Sequence, residues 1–341
     1  MPQTYLLPPR NNDASGADRA AGFEFEFGNL PITATAEALQ EALGGTLEKL
    51  SPFEAILHDS DIGRLKIERD ADLLKSRRYR GWLEQLGVEF SPGSIAHEIE
   101  SNIDNASRGL IPCEVVTQPI PFRQLSLLDD LVSTLAGMGA EGTGESLTYA
   151  FGLHINPSLA DQGSDSILRS LQSFLLLHDW FVDAGEIDRT RRYLTPYIDR
   201  FPQDYMELVL RPGYRPDLPA LIDDYLEHNP TRNRALDMLP IFHFLDAPRV
   251  EAALPKDERR LVKGRPAFHY RLPDCRINEP GWHVSSAWNS WVYIERIAED
   301  EDLLSALIAA WQDHYQEFRL AQASRWVRRL TSLLAERYLA S

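Results

Sequence analysis

The chain has 341 residues, of which 43% are hydrophobic and 25% charged, and its formal net charge at pH 7 is −16. These fractions are typical of a globular protein that buries a core, and the length allows one large domain or two. The acidic balance argues against non-specific nucleic-acid binding, which needs positive charge to replace counterions.

No apolar run approaches the roughly 20 residues that span a bilayer. The best one, SFLLLHDWFV, is interrupted by His178 and Asp179. The N-terminus lacks the charged start and apolar core of a signal peptide. The two cysteines, Cys113 and Cys275, have no paired spacing, which excludes a disulfide scaffold or a Cys-type zinc site. We therefore expect a cytoplasmic protein with no membrane partner.

The first 72 residues predict an arm, a strand, a helix and a hairpin. Residues 1–20 have the Pro, Asn, Asp and Gly content of a flexible arm, and 21–28 alternate as a strand does. The segment 31–45 predicts a short helix, which Thr35 caps and a glycine pair ends. The segment 46–72 is typical of a hairpin or of two strands, with HDSDIG as the turn.

The rest of the chain mixes strands with longer helical stretches. We predict an insertion at about 73–110, a strand at 112–118, a helix at 125–139, a strand at 147–156, a helical insertion at about 164–250, a strand at 267–272 and a C-terminal helix at about 302–339. Strands and helices interleave without a regular βαβ rhythm. This pattern favours an α+β fold with a mostly antiparallel sheet.

Five stretches alternate between apolar and polar residues: GFEFEFG, RLKIERD, CEVVTQP, AFGLHINP and AFHYRLPD. Because successive strand side chains point to opposite faces, the apolar sets can cover a core while the polar sets share the other face. If the stretches form one sheet, that face resembles a metal and phosphate site. Its members are Glu24, Glu26, Lys66, Glu68, Asp70, Glu114, Gln118, His154, Asn156, His269 and Arg271.

Each of these residues also has a plainer interpretation. Glu24 and Glu26 would lie ~7 Å apart on one strand face, where they could serve two divalent ions or simply face solvent. A strand histidine such as His154 could be a ligand or a hydrogen-bonded structural residue. Arg271 needs an anionic partner, which could be a neighbouring carboxylate or a bound phosphate.

Sequence motifs for other kinds of site are missing. The Gly-rich loop at 139–144 contains no GxxxxGK[ST], so any nucleotide would have to be held through metals and arginines. Neither a nucleophile elbow nor HExxH occurs. A basic cluster within the first insertion is typical of a solvated helix face, although it could also handle an anionic substrate; it comprises Lys75, Arg77, Arg78 and Arg80.

The series GFEFEF, RLKIERDADL, PCEVVTQP, FGLHINPS and HYRLPD resembles the amidoligase family of the glutamine-synthetase-like carboxylate–amine ligases. The resemblance covers roughly residues 21–292, and RLPDCRINEPGW resembles the R-x-P-D…N-P stretch of glutamine synthetase. The chain has Asn156 where relatives often have a second histidine, and His269 where glutamine synthetases have a glutamate. These departures predict an altered metal set, in which one ion is either bound more weakly or of softer preference.

The resemblance implies ATP-dependent joining of a carboxylate to an amine through an acyl phosphate, with small-molecule or peptide substrates. It implies that Glu24 shares one Mg²⁺ (or Mn²⁺) with His154 and His269. Glu26 and Glu114 would hold the other ion, assisted by Glu68 or Asp70. Arg271 would neutralise the phosphoryl group, Glu114 and His154 would act beside it in catalysis, and Arg276 and Asn156 would help to bind the nucleotide.

The implied fold is a single glutamine-synthetase-like catalytic domain over 21–341. Its curved sheet of about five or six strands would carry helices on one face and ATP on the other. Three other functions stay open from the residues alone: a metal-dependent hydrolase that needs no ATP, a non-catalytic binding protein, and a guanidino kinase. The residues name neither the substrates nor the oligomeric state.

Overall fold

The computed structural model describes residues 4–69, 112–143, 151–184, 199–317 and 323–339. Within these ranges the chain forms an α+β fold with one nine-stranded antiparallel sheet and eleven α-helices. The predicted insertion at 73–110, with its basic cluster from Lys75 to Arg80, lies outside the described residues, as does Asp70.

The sheet is open, and its strands follow the order β2-β3-β4-β5-β1-β7-β9-β8, with β6 beside β1. The strands are β1 Ala20–Phe27, β2 Thr46–Ser51, β3 Glu54–Ser60, β4 Gly63–Arg69, β5 Cys113–Thr117, β6 Ile120–Pro121, β7 Leu153–Pro157, β8 Leu236–Asp237 and β9 His269–Tyr270. Strand β1 therefore lies in the middle of the sheet, where β5 and β7 flank it with the residues of the candidate site.

The helices occupy the intervals between these strands and most of the C-terminal third. They are α1 Ile32–Leu43, α2 Leu128–Gly137, α3 Ser164–Asp183, α4 Gln203–Val209, α5 Leu218–His228, α6 Leu239–Leu245, α7 Ala247–Ala253, α8 Lys256–Arg259, α9 Val284–Glu299, α10 Glu301–Glu317 and α11 Ala323–Leu339; a 3-10 helix at Phe122–Leu127 precedes α2. None of the helices in the described part of the chain has the length and hydropathy needed to cross a membrane.

The prediction of five or six strands was wrong, and the missed strands have physical reasons. Segment 46–72 contains three strands rather than two, because the first, TLEKLS, is an edge strand exposed along nearly all its length and so shows no alternation. Strands β6, β8 and β9 have two residues each, which is too short for any pattern. The predicted strand at 267–272 is accordingly reduced to β9.

Two helix predictions also need correction. Helix α1 begins after Pro31, so Thr35 lies within it and its hydroxyl donates to the Pro31 carbonyl rather than capping the N-terminus. The predicted end is correct, since Gly44 follows the helix with a φ of 69°. Near the C-terminus the expected single helix is two helices, α10 and α11.

The apolar side of the alternating strands builds the core. Phe23, Phe25 and Phe27 of β1 are fully buried. The Phe23 ring lies 6.4 Å from Trp288 of α9, and Tyr270 of β9 lies 5.7 Å from Trp291 of the same helix. Burying an aromatic side chain of this size contributes about 1.5–3 kcal/mol. Because this face is committed to the core, the intervening polar residues are directed to the opposite face.

Residues 4–19, which we expected to be a flexible arm, contact α9 near both ends of the segment. The Leu6 carbonyl accepts from the Trp288 indole at 2.7 Å, and the Leu6 N–H donates to Asn289 at 2.8 Å. At its end, Arg19 pairs with Glu295 at 2.7 Å with only 1% of its side chain exposed. The polar residues of this segment form a tight turn, in which the Asp13 carboxylate accepts hydrogen bonds from the backbone N–H groups of Ser15 and Ala17.

Candidate functional site

Strand register brings the predicted polar residues into one patch. Glu24 of β1 lies opposite His154 of β7, and Glu26 of β1 lies opposite Glu114 of β5. Glu114 in turn lies opposite Glu68 of β4. Since directly opposed side chains on one face are close neighbours, the sheet assembles in space what is scattered over 130 residues of sequence.

One group of ligand-type atoms consists of Glu24, His154 and His269, whose atoms all lie within 4.8 Å of one another. Glu24 Oε2 is 3.1 Å from His154 Nδ1 and 3.9 Å from His269 Nε2. The two imidazole rings meet edge to face, with centroids 5.3 Å apart. Two nitrogens and one carboxylate oxygen therefore converge on one point.

A second group shares His154 and adds Glu26 and Glu114, again with all ligand atoms within 4.8 Å. His154 Nε2 lies 3.7 Å from Glu26 Oε1. The other oxygen of Glu26 accepts from the Gly152 N–H at 2.7 Å, which orients the carboxylate. Two carboxylates and one nitrogen make this group richer in oxygen than the first.

His154 lies between the two groups and cannot complete both at once. A neutral imidazole has one lone pair and one N–H. If Nδ1 binds an ion with Glu24, then Nε2–H points toward Glu26; the opposite tautomer completes the second group. The two groups therefore form one coupled centre rather than two independent sites.

Asn156 and Arg265 orient Glu24 from its other side. Asn156 Nδ2 donates to Glu24 Oε1 at 2.8 Å, and its Oδ1 accepts from Arg265 at 2.7 Å. Arg265 itself lies 3.7 Å from Glu24 Oε1. With Oε1 engaged in this way, Oε2 is the oxygen turned toward the histidines. Asn156, predicted to bind the nucleotide, thus holds a carboxylate in place.

The pKa of Glu24 lies well below its usual range. Burial raises this pKa, but the hydrogen bond with His154 and the charge of Arg265 outweigh burial. Glu24 is therefore ionised at neutral pH, as a metal ligand must be.

His269 is held by Asp237, a residue that the sequence did not single out. Asp237 Oδ2 lies 3.3 Å from His269 Nδ1. Burial lowers the pKa of His269 to about 4, against the raising influence of Asp237 and Glu24. The imidazole is therefore neutral at physiological pH, and a neutral imidazole is the form that binds metal.

The remaining predicted residues lie at the edge of the two groups or contact other parts of the protein. Glu68 pairs with Lys66 at 2.6 Å. One nitrogen of Arg271 donates to the Arg232 carbonyl at 2.6 Å. Arg276 lies 3.7 Å from both Asp274 and Glu279. These arginines thus have protein contacts in the described structure, whereas Glu24, Glu26, Glu114, His154 and His269 form the converging set.

Sequence reasoning missed Asp237 and Arg265 for the same reason. Asp237 belongs to a two-residue strand inside a stretch predicted to be helical, and Arg265 lies in a loop before β9. Neither position has a pattern that links it to the site. Only the pairing of β8 with β9, which sets Asp237 opposite His269, could have found the carboxylate.

Comparison with protein families matches residues 17–293 to the family described as "Putative amidoligase enzyme". No curated protein and no solved structure matches the chain. The matched region begins just before β1 and ends within α9, so it contains every residue of the two converging groups. Because the match covers most of the chain, the protein belongs to the amidoligase family.

Proposed function

We propose that this protein is an ATP-dependent carboxylate–amine ligase with a glutamine-synthetase-like catalytic fold, which forms an amide bond through an acyl phosphate. The observation that carries the proposal is the coupled pair of ligand groups around His154 on the polar face of the sheet, in a chain of the amidoligase family. The substrates we propose are a small-molecule or peptide carboxylate and an amine.

The donor set fits divalent cations. Glu24, Glu26 and Glu114 bring three carboxylates, while Arg265 is the cation that lies 3.7 Å from Glu24. Like charges gathered in a partly buried place repel one another unless a cation compensates them. Glu68 lies opposite Glu114 in the strand register and would add a fourth carboxylate at the edge of the site. Two bound ions would supply neutralisation of the nucleotide's phosphate charge and of the charge that develops during transfer.

The protein's own groups would mainly position the reactants. Phosphoryl transfer requires little covalent chemistry from side chains, because orientation and charge neutralisation supply most of the rate. Asn156, Arg265 and the Gly152 N–H hold Glu24 and Glu26 in fixed orientations. We propose that Arg271 and Arg276 contact the nucleotide's phosphates, exchanging part of their present protein contacts for phosphate oxygens.

In the proposed reaction, a carboxylate oxygen of the substrate attacks the γ-phosphorus of ATP, and the bond to the bridging oxygen breaks to release ADP. The amine then attacks the acyl carbon and phosphate leaves with the electron pair of the C–O bond. The amine must lose a proton in this step. Glu68, which lies opposite Glu114 in the strand register and outside both groups, would accept it.

Nucleotide binding tests the proposal most directly. We expect Mg²⁺·ATP to bind the metal-free protein in calorimetry and to raise its melting temperature, and Glu114→Gln to weaken both effects. Glu41→Gln, an exposed helical position, is the matched control and should behave as wild type. With candidate carboxylates and amines present, ADP and phosphate should form together.

Four results would contradict this function. Folded protein that gains nothing from millimolar Mg²⁺·ATP would exclude a ligase, and metal binding without nucleotide binding would favour the ATP-independent hydrolase. Release of AMP and pyrophosphate would exclude an acyl phosphate in favour of an acyl adenylate. Phosphoryl transfer to a guanidino compound, with no amide product, would indicate a kinase.

A further inference from the structure

Asp237 is a fully buried carboxylate, and each of its two oxygens has a hydrogen-bond partner. Its Oδ1 accepts from the Leu239 N–H at 3.0 Å, and its Oδ2 lies 3.3 Å from Nδ1 of His269. The Arg232 Nε lies 3.9 Å from the same Oδ2. Burying a carboxylate costs free energy unless it is hydrogen-bonded. A carboxylate at this buried position therefore indicates a specific role.

The far side of His269 is turned into the converging groups. Its side chain is only 3% exposed, and its Nε2 makes no hydrogen bond within the described residues. Glu24 Oε2 lies 3.9 Å from it, which is beyond hydrogen-bond distance. A buried nitrogen without a hydrogen-bond partner, pointing at a carboxylate and a second imidazole, has the arrangement of a metal ligand.

The contact with Asp237 decides which nitrogen carries the proton. A carboxylate accepts, so Nδ1 must be the N–H nitrogen and Nε2 must carry the lone pair. In metal sites, ligating histidines commonly donate their other N–H to a carboxylate in this way, which fixes the tautomer and the ring orientation.

We infer that Asp237 is a positioning residue for His269, and that the Glu24–His154–His269 group binds a divalent transition metal of the Mn²⁺, Co²⁺ and Zn²⁺ class in preference to Mg²⁺. Two nitrogens and one oxygen suit these metals, whereas Mg²⁺ prefers oxygen ligands and water. The Glu26–Glu114 group has the oxygen-rich set that Mg²⁺ takes. The inference rests on the proposed function only in that this group is one of its two metal sites.

Metal binding by the full chain, freed of metal with a chelator, tests the inference. We expect Co²⁺ to give a visible absorption band and Mn²⁺ to bind more tightly than Mg²⁺ in calorimetry. Asp237→Asn should weaken Mn²⁺ and Co²⁺ binding by about 10–100-fold and weaken Mg²⁺ binding by less. Asp223→Asn makes the same chemical change at an exposed residue that pairs with Arg249, and should leave all three unchanged.

Histidine ¹⁵N spectra of the wild type test the tautomer directly, and a variant is needed only to assign the His269 resonance. His269, assigned by its absence in His269→Gln, should be protonated at Nδ1, and its Nε2 resonance should shift when Zn²⁺ is added. A proton on Nε2, an unshifted Nε2 resonance at Zn²⁺ saturation, or Asp237→Asn protein that binds Co²⁺ as wild type does would each overturn the inference.

These readouts separate the inference from the proposed function. A protein that binds Mn²⁺ and Co²⁺ through His269 but does not bind ATP would refute the ligase and keep the metal assignment. A protein that binds Mg²⁺·ATP and forms ADP with substrates, yet shows no difference between Asp237→Asn and Asp223→Asn, would keep the ligase and refute the role of Asp237.

Discussion

Glu26→Gln separates a ligand from a structural carboxylate, because its effects with and without metal should differ. In the metal-free protein the substitution removes repulsion between Glu26 and Glu114, whose ligand atoms lie within 4.8 Å. That repulsion is worth about 1–3 kcal/mol at an effective dielectric constant of about 20–80. The substitution also weakens the hydrogen bond from Gly152, which a charged acceptor strengthens by about 1 kcal/mol.

The two terms oppose each other, so the metal-free stability should change by no more than about 1–2 kcal/mol. With Mg²⁺ at 100 times its dissociation constant, wild type gains about 2.7 kcal/mol, or about 5 °C in melting temperature at roughly 2 °C per kcal/mol. A tenfold loss of affinity in Glu26→Gln would reduce that gain to about 1.4 kcal/mol. The melting shift should therefore fall to about half or less.

Scanning calorimetry with and without Mg²⁺ measures both quantities, and Glu41→Gln provides the control for a change of one charge. The reasoning is refuted if Glu26→Gln shows the same Mg²⁺-dependent shift as wild type. It is also refuted if the metal-free variant melts about 10 °C lower, since Glu26 would then be part of the structural framework.

Three further predictions concern stability and reactivity. Arg19→Met should cost about 3–5 kcal/mol in urea unfolding, because it leaves buried Glu295 without its cation; a loss under ~1 kcal/mol would contradict this. Asp161→Asn should lose less stability than wild type as the pH falls below about 4, measured by urea midpoints at pH 6, 4 and 3. Burial raises the Asp161 pKa, but hydrogen bonds from Arg10 and Gly163 lower it overall. The ionised carboxylate therefore stabilises the folded protein above the unfolded-state pKa of about 3.9, and this stabilisation is lost as the pH falls through the folded-state pKa. Burial raises the pKa of Cys113 to about 12, so its thiol should react with a disulfide reagent only after unfolding, and rapid native labelling at pH 8 would show that the strand opens.

Alternation along the strands was readable from sequence because it follows from backbone geometry alone. The phenylalanines of β1 predicted a buried face, and all three are buried. The same period two directed Glu24 and Glu26 to the other face, where the structure has them. Sheet type, the end of α1 at Gly44 and family membership could likewise be inferred from local pattern and motif order.

The number of strands and the packing of the N-terminal segment depended on contacts that sequence does not display. An exposed edge strand such as β2 has no buried side, and a two-residue strand has no period, so neither leaves a local signal. The segment 4–19 resembles a linker in composition, yet its backbone and Arg19 find partners on α9, about 280 residues later.

By itself, the sequence determined which side chains share a strand face and which face meets the core. Only the tertiary structure decided that β7 and β5 flank β1, which makes His154 a member of both ligand groups. It alone brought Asp237 behind His269 and Arg265 beside Glu24. The physical reason is that strand geometry is local, whereas the register between strands and the burial of a lone carboxylate depend on residues far apart in the chain.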